Sequence, residues 1–477
     1  MSDTNKKYYL EEMHLFDKNG MQFVFLPTKL LLFQVDEDTY SELIAMKDKF
    51  GTETPIEEKD DVLLEAGIMY EADEPIDDVV KKAYEARSEK QDEENTPIPV
   101  TSTVLQIAND CNLNCIYCYG DGGSYGRERE LMTFETAKKS IDFMVANSAD
   151  VERLTVIFFG GEPLINFDVV KKTFDYCKSI EESSGKKFRF SMTTNGTILT
   201  DEIYNFIKDN KISVMISMDG GKELQNKHRC YCDGKGSFED IVKNIERFKE
   251  ARGGHLTARS TVCSTDIRFK KIKDDLLALG FTNAVTSMVD TSEDSELFIG
   301  GDFTERVIEQ YQILCDDYVN SLKEGKPFPQ NLFESAFKTL YFKLMKIRSC
   351  SAGNSGIAVG TNELIYPCHR FMGMPEHSMG TLDTGINEEI RAKYRQANIY
   401  TKEGCKDCWA RYLCNGGCAH ISACHGGIFH APDCYCDIYR GLYEIILHAY
   451  WELKEWDNDV FKKQLEKADT PVNTLSE

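Results

Sequence analysis

No stretch of this chain is apolar for long enough to cross a bilayer, and its first residues, Met1 to Lys7, lack the apolar core and cleavage site of an export signal. A cytoplasmic protein that does not engage a membrane is expected. Positive charge is also scarce: 56 Lys and Arg against 79 Asp and Glu leave a net charge of -23 and a pI near 4.9. A phosphate backbone would be repelled over most of such a surface, so no nucleic-acid partner is expected, a local basic groove apart. Cysteine, by contrast, is plentiful. The 17 cysteines are odd in number and crowd between Cys350 and Cys436. In a reducing compartment thiolate ligation of metal explains them better than disulfides. At 477 residues the chain has room for about three domains.

The most informative stretch is Cys111-Asn-Leu-Asn-Cys115-Ile-Tyr-Cys118, which follows the apolar run Thr103 to Ala108 and so lies in a loop leaving a strand. Three thiolates this close can hold three corners of a cubane cluster and leave the fourth iron open for chemistry. A structural zinc would want four closed ligands, and no fourth Cys or His lies nearby in sequence. From Val100 to about Asp290 strands and helices alternate. Predicted strands are Val104 to Ala108, Leu154 to Phe159, Phe188 to Thr194, Ile212 to Met218, Leu256 to Cys263 and Ala284 to Val289. Helices fall between them, such as Phe134 to Val145 behind a Thr133 cap and Phe238 to Phe248 behind Ser237. Six such units imply an α/β fold with a parallel sheet and right-handed crossovers, with its chemistry at the carboxyl ends of the strands.

Upstream, Asp17-Lys-Asn-Gly20 between apolar runs reads as a hairpin turn. A third strand spans Lys29 to Val35, a helix starts at the Asp36/Asp38 cap, a second helix runs from about Ile56 to Ala66, and Gly67 to Tyr70 returns extended. Residues 73 to 99 read as a helix and a charged linker, and 291 to about 345 as mostly helical, with Cys315 a buried core thiol. Residues 437 to 477 form a helix with Tyr443, Ile446, Leu447, Tyr450 and Leu453 on one face, and an acidic tail follows Ala468.

The Cys111, Cys115, Cys118 spacing, with Tyr117 before the last cysteine, resembles the radical S-adenosylmethionine (SAM) superfamily. The resemblance implies a partial (β/α)6 TIM barrel and assigns further residues. Phe159-Gly160-Gly161-Glu162-Pro163 is similar to the motif that holds the methionine amino end of SAM; Asn195, in Thr194-Asn195-Gly196, falls where ribose is met; Ser217 and Arg229 correspond to the pair that holds the SAM carboxylate. Cys230 and Cys232 beside them are free thiols in this reading.

The later cysteines, with Tyr366-Pro-Cys368-His and Cys405-x2-Cys408-x5-Cys414-x3-Cys418, resemble the SPASM domain of radical SAM enzymes that act on peptides. The resemblance implies two auxiliary clusters, one on Cys350, Cys368 and Cys418, the other on Cys405, Cys408, Cys414 and Cys436, with Trp409 and Asn415-Gly-Gly417 packed around the loop. Cys436 is preferred to Cys434 because Cys436-Asp-Ile-Tyr-Arg440 has the closing pattern, though either could reach. Two departures stand out. Glu363 replaces the usual glycine five residues before Cys368, and no cysteine closely precedes Cys350. The first auxiliary cluster is therefore either open for a substrate thiolate or closed by Cys315 or Cys424.

These resemblances imply a winged-helix-like leader-recognition domain with linker helix at 1–90, a radical SAM barrel at 100–295, a helical bridge at 296–345, a SPASM domain at 346–440 and a C-terminal helix and tail at 441–477. They also imply SAM and three 4Fe-4S clusters as cofactors, a flavodoxin or ferredoxin as electron donor, and a precursor peptide with a leader as substrate. The expected reaction is a thioether crosslink made through a 5'-deoxyadenosyl radical, with no general base identified. Rival products are a carbon-carbon crosslink, thioethers of a quinone-cofactor subunit or a formylglycine-type oxidation. A zinc- or cluster-binding peptide adaptor is the non-enzymatic rival.

Overall fold

The computed structural model of the chain describes residues 7–52, 54–56, 59–72, 81–86, 98–326 and 332–467. Most of the expected charged linker and the acidic tail lie outside the described residues.

Residues 7–72 build a small unit of five strands: β1 (Lys7–Leu10), β2 (His14–Lys18), β3 (Met21–Leu26), β4 (Leu31–Val35) and β5 (Met69–Ala72). Strands β2, β3 and β4 make an antiparallel sheet in that order, while β1 pairs with β5. Asn19 and Gly20 both take positive φ, 56° and 73°, as a two-residue hairpin requires. Asp36 caps the helix Glu37–Ala45 by accepting from Thr39 N. The second helix is shorter than expected. It starts at Asp61, where Asp60 caps Leu63 N, because Ile56 is held in a bridge to Tyr8.

Strand β3 is apolar on both faces for a physical reason. Val24 and Leu26 belong to the unit's own core with Leu43 and Leu63, whereas Phe23 and Phe25 belong to the core of the rest of the chain. The unit is thus docked rather than tethered. His14 stacks flat on Trp409 at 3.8 Å, Phe23 meets Trp451 edge-on, and Glu12 pairs with both terminal nitrogens of the buried Arg411. Trp409, next to Cys408, therefore packs on the N-terminal sheet.

The central sheet takes β6 (Ser102–Asn109), β9 (Arg153–Gly160), β10 (Lys187–Thr194), β11 (Ser213–Ser217), β13 (Thr257–Val262) and β14 (Asn283–Met288), paired in parallel in that order. Each lies within two residues of its predicted strand. Two short strands, β7 (Leu113–Cys115) and β12 (Arg229–Tyr231), pair with each other, and β8 (Glu130–Leu131) pairs with β6. Thr133 caps Phe134–Ala146 as expected. At Phe238–Ala251, however, Ser237 Oγ is spent on Arg229 O, and Asn226 Oδ1 accepts from Phe238 N instead.

The sheet does not stop at these six strands. Four strands of the cysteine-rich region, β15 (Gly356–Val359), β16 (Leu364–Tyr366), β17 (Gly380–Thr381) and β18 (Gly385–Ile386), continue it from the free edge of β6, with β15 parallel to β6 and the rest antiparallel. Strand β6 is consequently central and almost wholly buried. The turn between β15 and β16 carries Glu363 at φ 63°, the left-handed conformation that favours glycine. Its carboxylate pairs with Lys139 at 2.5 Å, which explains how a glutamate holds that position. The helices Thr304–Lys323, Leu332–Phe342 and Asp433–Lys467 pack together beside the sheet. Among the described residues no helix is long and apolar enough to cross a membrane.

Two outcomes follow from this packing. Glu12→Ala leaves the Arg411 guanidinium, 4% exposed, without its carboxylate and is expected to destabilise the protein by about 2–3 kcal/mol, read as a lower melting temperature with faster proteolysis of residues 7–72. Glu363→Gly relieves roughly 1 kcal/mol of left-handed strain and gives up an ion pair worth less, so its melting temperature should match or exceed that of the unaltered chain.

Candidate active site

The cysteine loop leaves the carboxyl end of β6 and is fastened there by backbone. Register in the β7–β12 pair sets Cys115 opposite Arg229, and Ile116 N donates to His228 O. From β9, Gly161 N donates to Ala108 O and Glu162 N to Asp110 O. The approach is so close that a Cβ on Gly161 would lie 2.2 Å from Asp110 O, and one on Gly160 2.4 Å from Ala108 O. The two glycines are thus required by strand packing in addition to any ligand.

Cys111, Cys115 and Cys118 are brought together, half-buried, with their thiols acting on one another. Burial pushes the thiol of Cys111 up to about 12 and that of Cys115 up to about 11, so the thiolate forms need added positive charge. Around a single zinc, sulfurs sit roughly 3.8 Å apart, given bonds of about 2.3 Å in a tetrahedron. Their three sulfurs do not all lie within 4.8 Å of one another, which is compatible with the wider sulfur spacing of a multi-iron cluster.

Glu162 is fully buried, and burial pushes its carboxyl up to about 7. It accepts from Leu164 N, Thr194 Oγ1 and Asn195 N at 3.0, 2.8 and 2.7 Å. A carboxylate offers about four acceptor positions, so one remains for an ammonium. Asn195 is committed to the cysteine loop: its Nδ2 donates to Asn112 Oδ1 at 2.8 Å, and its Oδ1 accepts from Thr197. Ser217 ends β11, half-buried.

Two residues later lies the group that the sequence reading passed over. Asp219, fully buried, accepts from the Tyr117 hydroxyl and from Thr261 N at 3.0 Å, and its Oδ2 lies 3.1 Å from His228 Nδ1 and 3.3 Å from Arg229 Nε. Arg229 Nε is near but not aligned for a hydrogen bond, while Nη1 reaches Cys115 Sγ at 3.8 Å. The guanidinium lies over the Tyr117 ring. Tyr117 and Arg229, assigned separately from sequence, therefore share one buried carboxylate. The signal available in sequence was an Asp two residues beyond a strand end.

Cys350, Cys368 and Cys418 form a second mutually interacting set, and Cys405, Cys408, Cys414 and Cys436 a third. Cys315 is excluded as a ligand to the second set: it is buried on the helix Thr304–Lys323 beside Glu452 and Lys18. Cys424 does lie beside Cys418, with its sulfur against the His420 ring. Cys434 lies beside Glu293, whereas Cys436 lies beside Cys405 and Cys408. The buried Lys402 amine, bonded to Gly416 O and Ser422 Oγ, lies between the second and third sets.

A cavity of about 310 Å³ is lined by residues close to both sets. Tyr119, next to Cys118, and Arg370, near Cys368 and Cys418, line it, as do Asp290 and His420, 2.7 Å apart.

Residues 105–274 match the family described as the Radical SAM superfamily. An uncharacterized protein of Methanocaldococcus jannaschii is 36% identical over 142 residues, 30% of this chain and 46% of that protein, so the match spans less than half of that relative's length. The radical SAM cyclopropyl synthase TigE of Paramaledivibacter caminithermalis is 23% identical over 374 residues, 75% of this chain and 76% of its own. A cysteine-type anaerobic sulfatase-maturating enzyme of Clostridium perfringens is 22% identical over 370 residues, 72% of this chain and 96% of its own. Among solved structures, anSMEcpe with bound AdoMet superposes with a TM-score of 0.66 at 19% identity, covering 78% of this chain and 99% of that one. Streptococcus suis SuiB bound to precursor peptide SuiA gives 0.52 at 15% identity, covering 91% and 98%. The chain carries a radical SAM domain.

The buried Asp219–His228 contact has a pH signature. Burial opposes protonation of His228, but the hydrogen bonds and charges of Asp219 and Cys263 together outweigh it and lift the imidazole to about 9 from 6.5. Stabilisation from this contact is complete below about 6.5 and is lost as pH rises through about 9, because only the folded state holds the proton in that window. The melting-temperature advantage of the unaltered protein over His228→Gln should therefore shrink from pH 6.5 to pH 9, tracking a term of at most about 3 kcal/mol.

Proposed function

We propose that this radical SAM enzyme matures a ribosomally made precursor peptide by joining a cysteine sulfur to a carbon of another residue. The observation that carries the reading is a cavity lined both by Tyr119, next to Cys118, and by Arg370, near Cys368 and Cys418. A peptide seated there would have one side within reach of a radical and the other within reach of a thiophilic iron.

Cys111, Cys115 and Cys118 would hold the SAM-binding 4Fe-4S cluster, in keeping with their spacing. The free acceptor position on Glu162 suits the SAM ammonium, and the unaligned Nε of Arg229, with Ser217, suits its carboxylate. Gly160, Gly161, Tyr117 and Asn195 complete that side by fixing the loop. When bound, the cluster and SAM supply a 5'-deoxyadenosyl radical that removes a hydrogen atom from the peptide. Cys350, Cys368 and Cys418 would hold an auxiliary cluster with a corner left for the peptide thiolate, and Cys405, Cys408, Cys414 and Cys436 a closed one; these clusters would supply the acceptor for the one electron released when sulfur joins carbon. The Asp290–His420 pair is the acid-base group placed to take the thiol proton at His420. Electrons would come from a flavodoxin or ferredoxin in the cytoplasm. The N-terminal unit, whose β4 is an edge strand, would take the leader as an added strand.

Relatives described as a cyclopropyl synthase and as sulfatase-maturating enzymes favour a second reading, in which the same radical yields a carbon-carbon bond or a formylglycine-type oxidation. Anaerobic reaction with a cysteine-rich peptide encoded beside the gene separates them. Loss of two hydrogens with every modified cysteine unreactive to alkylation supports the thioether; the same loss with free thiols retained overturns it. Cys115→Ala should lower 5'-deoxyadenosine formation by at least about 100-fold, whereas Cys368→Ala should leave it within about threefold and abolish the crosslink.

A further inference from the structure

Among the described residues, the only group of three or more His, Cys, Asp or Glu donor atoms lying within 4.8 Å of one another is Glu293, His425 and Cys434. None belongs to the three cysteine sets above. They come from three separate segments: the loop after β14, the residue following the helix Ala419–Cys424, and the first turn of the helix Asp433–Lys467.

We propose that these three side chains form a mononuclear zinc site that pins the wall of the cavity. One nitrogen, one sulfur and one carboxylate oxygen are donors that zinc accepts together, at about 2.0–2.3 Å, which requires the donor atoms themselves to lie within roughly 4 Å of each other. The contrast with Cys111, Cys115 and Cys118 is the argument: those sulfurs do not all lie within 4.8 Å of one another, whereas these donor atoms do. The surroundings hold the donors in place. Tyr435, adjacent to Cys434, donates its hydroxyl to Val289 O at 3.0 Å and packs edge-on against Phe298 and His425, so one ring braces all three segments. Gly300 lies against Cys434 O, where a Cβ would come to 3.1 Å. Three protein ligands leave a tetrahedral zinc one position for water or for a donor of the bound peptide. His425 also lines the cavity with Thr291 and Ser292, next to Glu293. The ion would tie the loop after β14 to the cysteine-rich region at the rim where substrate enters. Cys434 binds as thiolate and gives its proton to solvent.

The test uses full-length protein, purified anaerobically with its iron-sulfur clusters from zinc-containing medium. Zinc and iron are counted by mass spectrometry, and the zinc environment is read by X-ray absorption at the zinc edge. About one zinc per chain is expected, bound to one sulfur and otherwise to nitrogen and oxygen. His425→Ala and Cys434→Ser should each reduce it to less than about a tenth at unchanged iron content. Glu293→Gln, at an exposed position where folding is not at stake, should weaken retention against a chelator by at least about tenfold. Zinc surrounded only by sulfur would mark displacement of a cluster and overturn the proposal. So would zinc undiminished in all three variants, or absence of zinc from protein with full iron.

Discussion

The buried carboxylate of Asp219 is the contact on which the site depends. An ionised group removed from water is tolerated only when donors surround it, and here they come from four places: the cysteine loop through Tyr117, the segment before β12 through His228, β12 through Arg229, and β13 through the backbone of Thr261. Because the donors come from segments far apart in sequence, satisfying one charge fixes the loop against the strand ends. Gln225 holds the other side of the same residue by accepting from Asp219 N at 2.9 Å, and its amide donates to Ser237, which in turn donates to Arg229 O. Removing the carboxylate would leave a buried guanidinium unpaired in the same place, so the network fails as a unit.

The same logic runs through the distribution of charge. A chain with net charge -23 nevertheless places a cation beside each thiol set: Arg229 by Cys115, Arg370 by Cys368 and Cys418, Lys402 between the second and third sets, and Arg440 by Cys408 and Cys436. These lie in or near the interior, while the acidic excess is solvated. Positive charge at a thiolate favours the anionic form and, with a cluster in place, favours its reduced state. Lys402 has the clearest placement, since its stem is buried and its amine is fixed by Gly416 O and Ser422 Oγ rather than by a carboxylate that would cancel its field. Arg259 is a related case: it stands on β13 among Tyr119, Arg370 and Tyr439, and burial holds its guanidinium down at about 10.

Local signals were legible in sequence and long-range ones were not. Periodicity placed all six parallel strands, Asn19-Gly20 placed the hairpin, and Thr133 and Asp36 placed helix starts, because each depends on residues within a few positions. The cysteine sets came from a resemblance and not from spacing alone, since Cys350, Cys368 and Cys418 are distant in sequence; the structure brings the thiols of each set near one another. What could not be read were pairings between distant segments: β15 on β6, Trp409 on His14, and the choice of Asp219 as a shared acceptor. Ser237 shows the limit within a single motif. Its cap signal is real, but Arg229 O, eight residues away, competes for the hydroxyl and wins. Glu363 shows the opposite, where a departure from an expected glycine left the backbone shape intact and was compensated by Lys139 on a distant helix.

The continuity of the sheet joins the two halves of the site. Strand β6 leads into the Cys111 loop at its carboxyl end, and β15, its parallel neighbour, leads through β16 to Cys368. Cys368 follows β16, the second strand out from β6, so the first and second cysteine sets are both attached to one hydrogen-bonded sheet. All four β15 residues are buried, so this strand lies inside the continuous sheet and not at its edge. Fine adjustment is left to side chains in the gap, chiefly Tyr119 and Arg370, whose guanidinium lies 5.4 Å from the ring centroid and is anchored by Asp290. A rigid span with an adaptable lining is what controlled radical chemistry requires, because a reactive carbon centre attacks whatever lies closest and only positioning can choose the target.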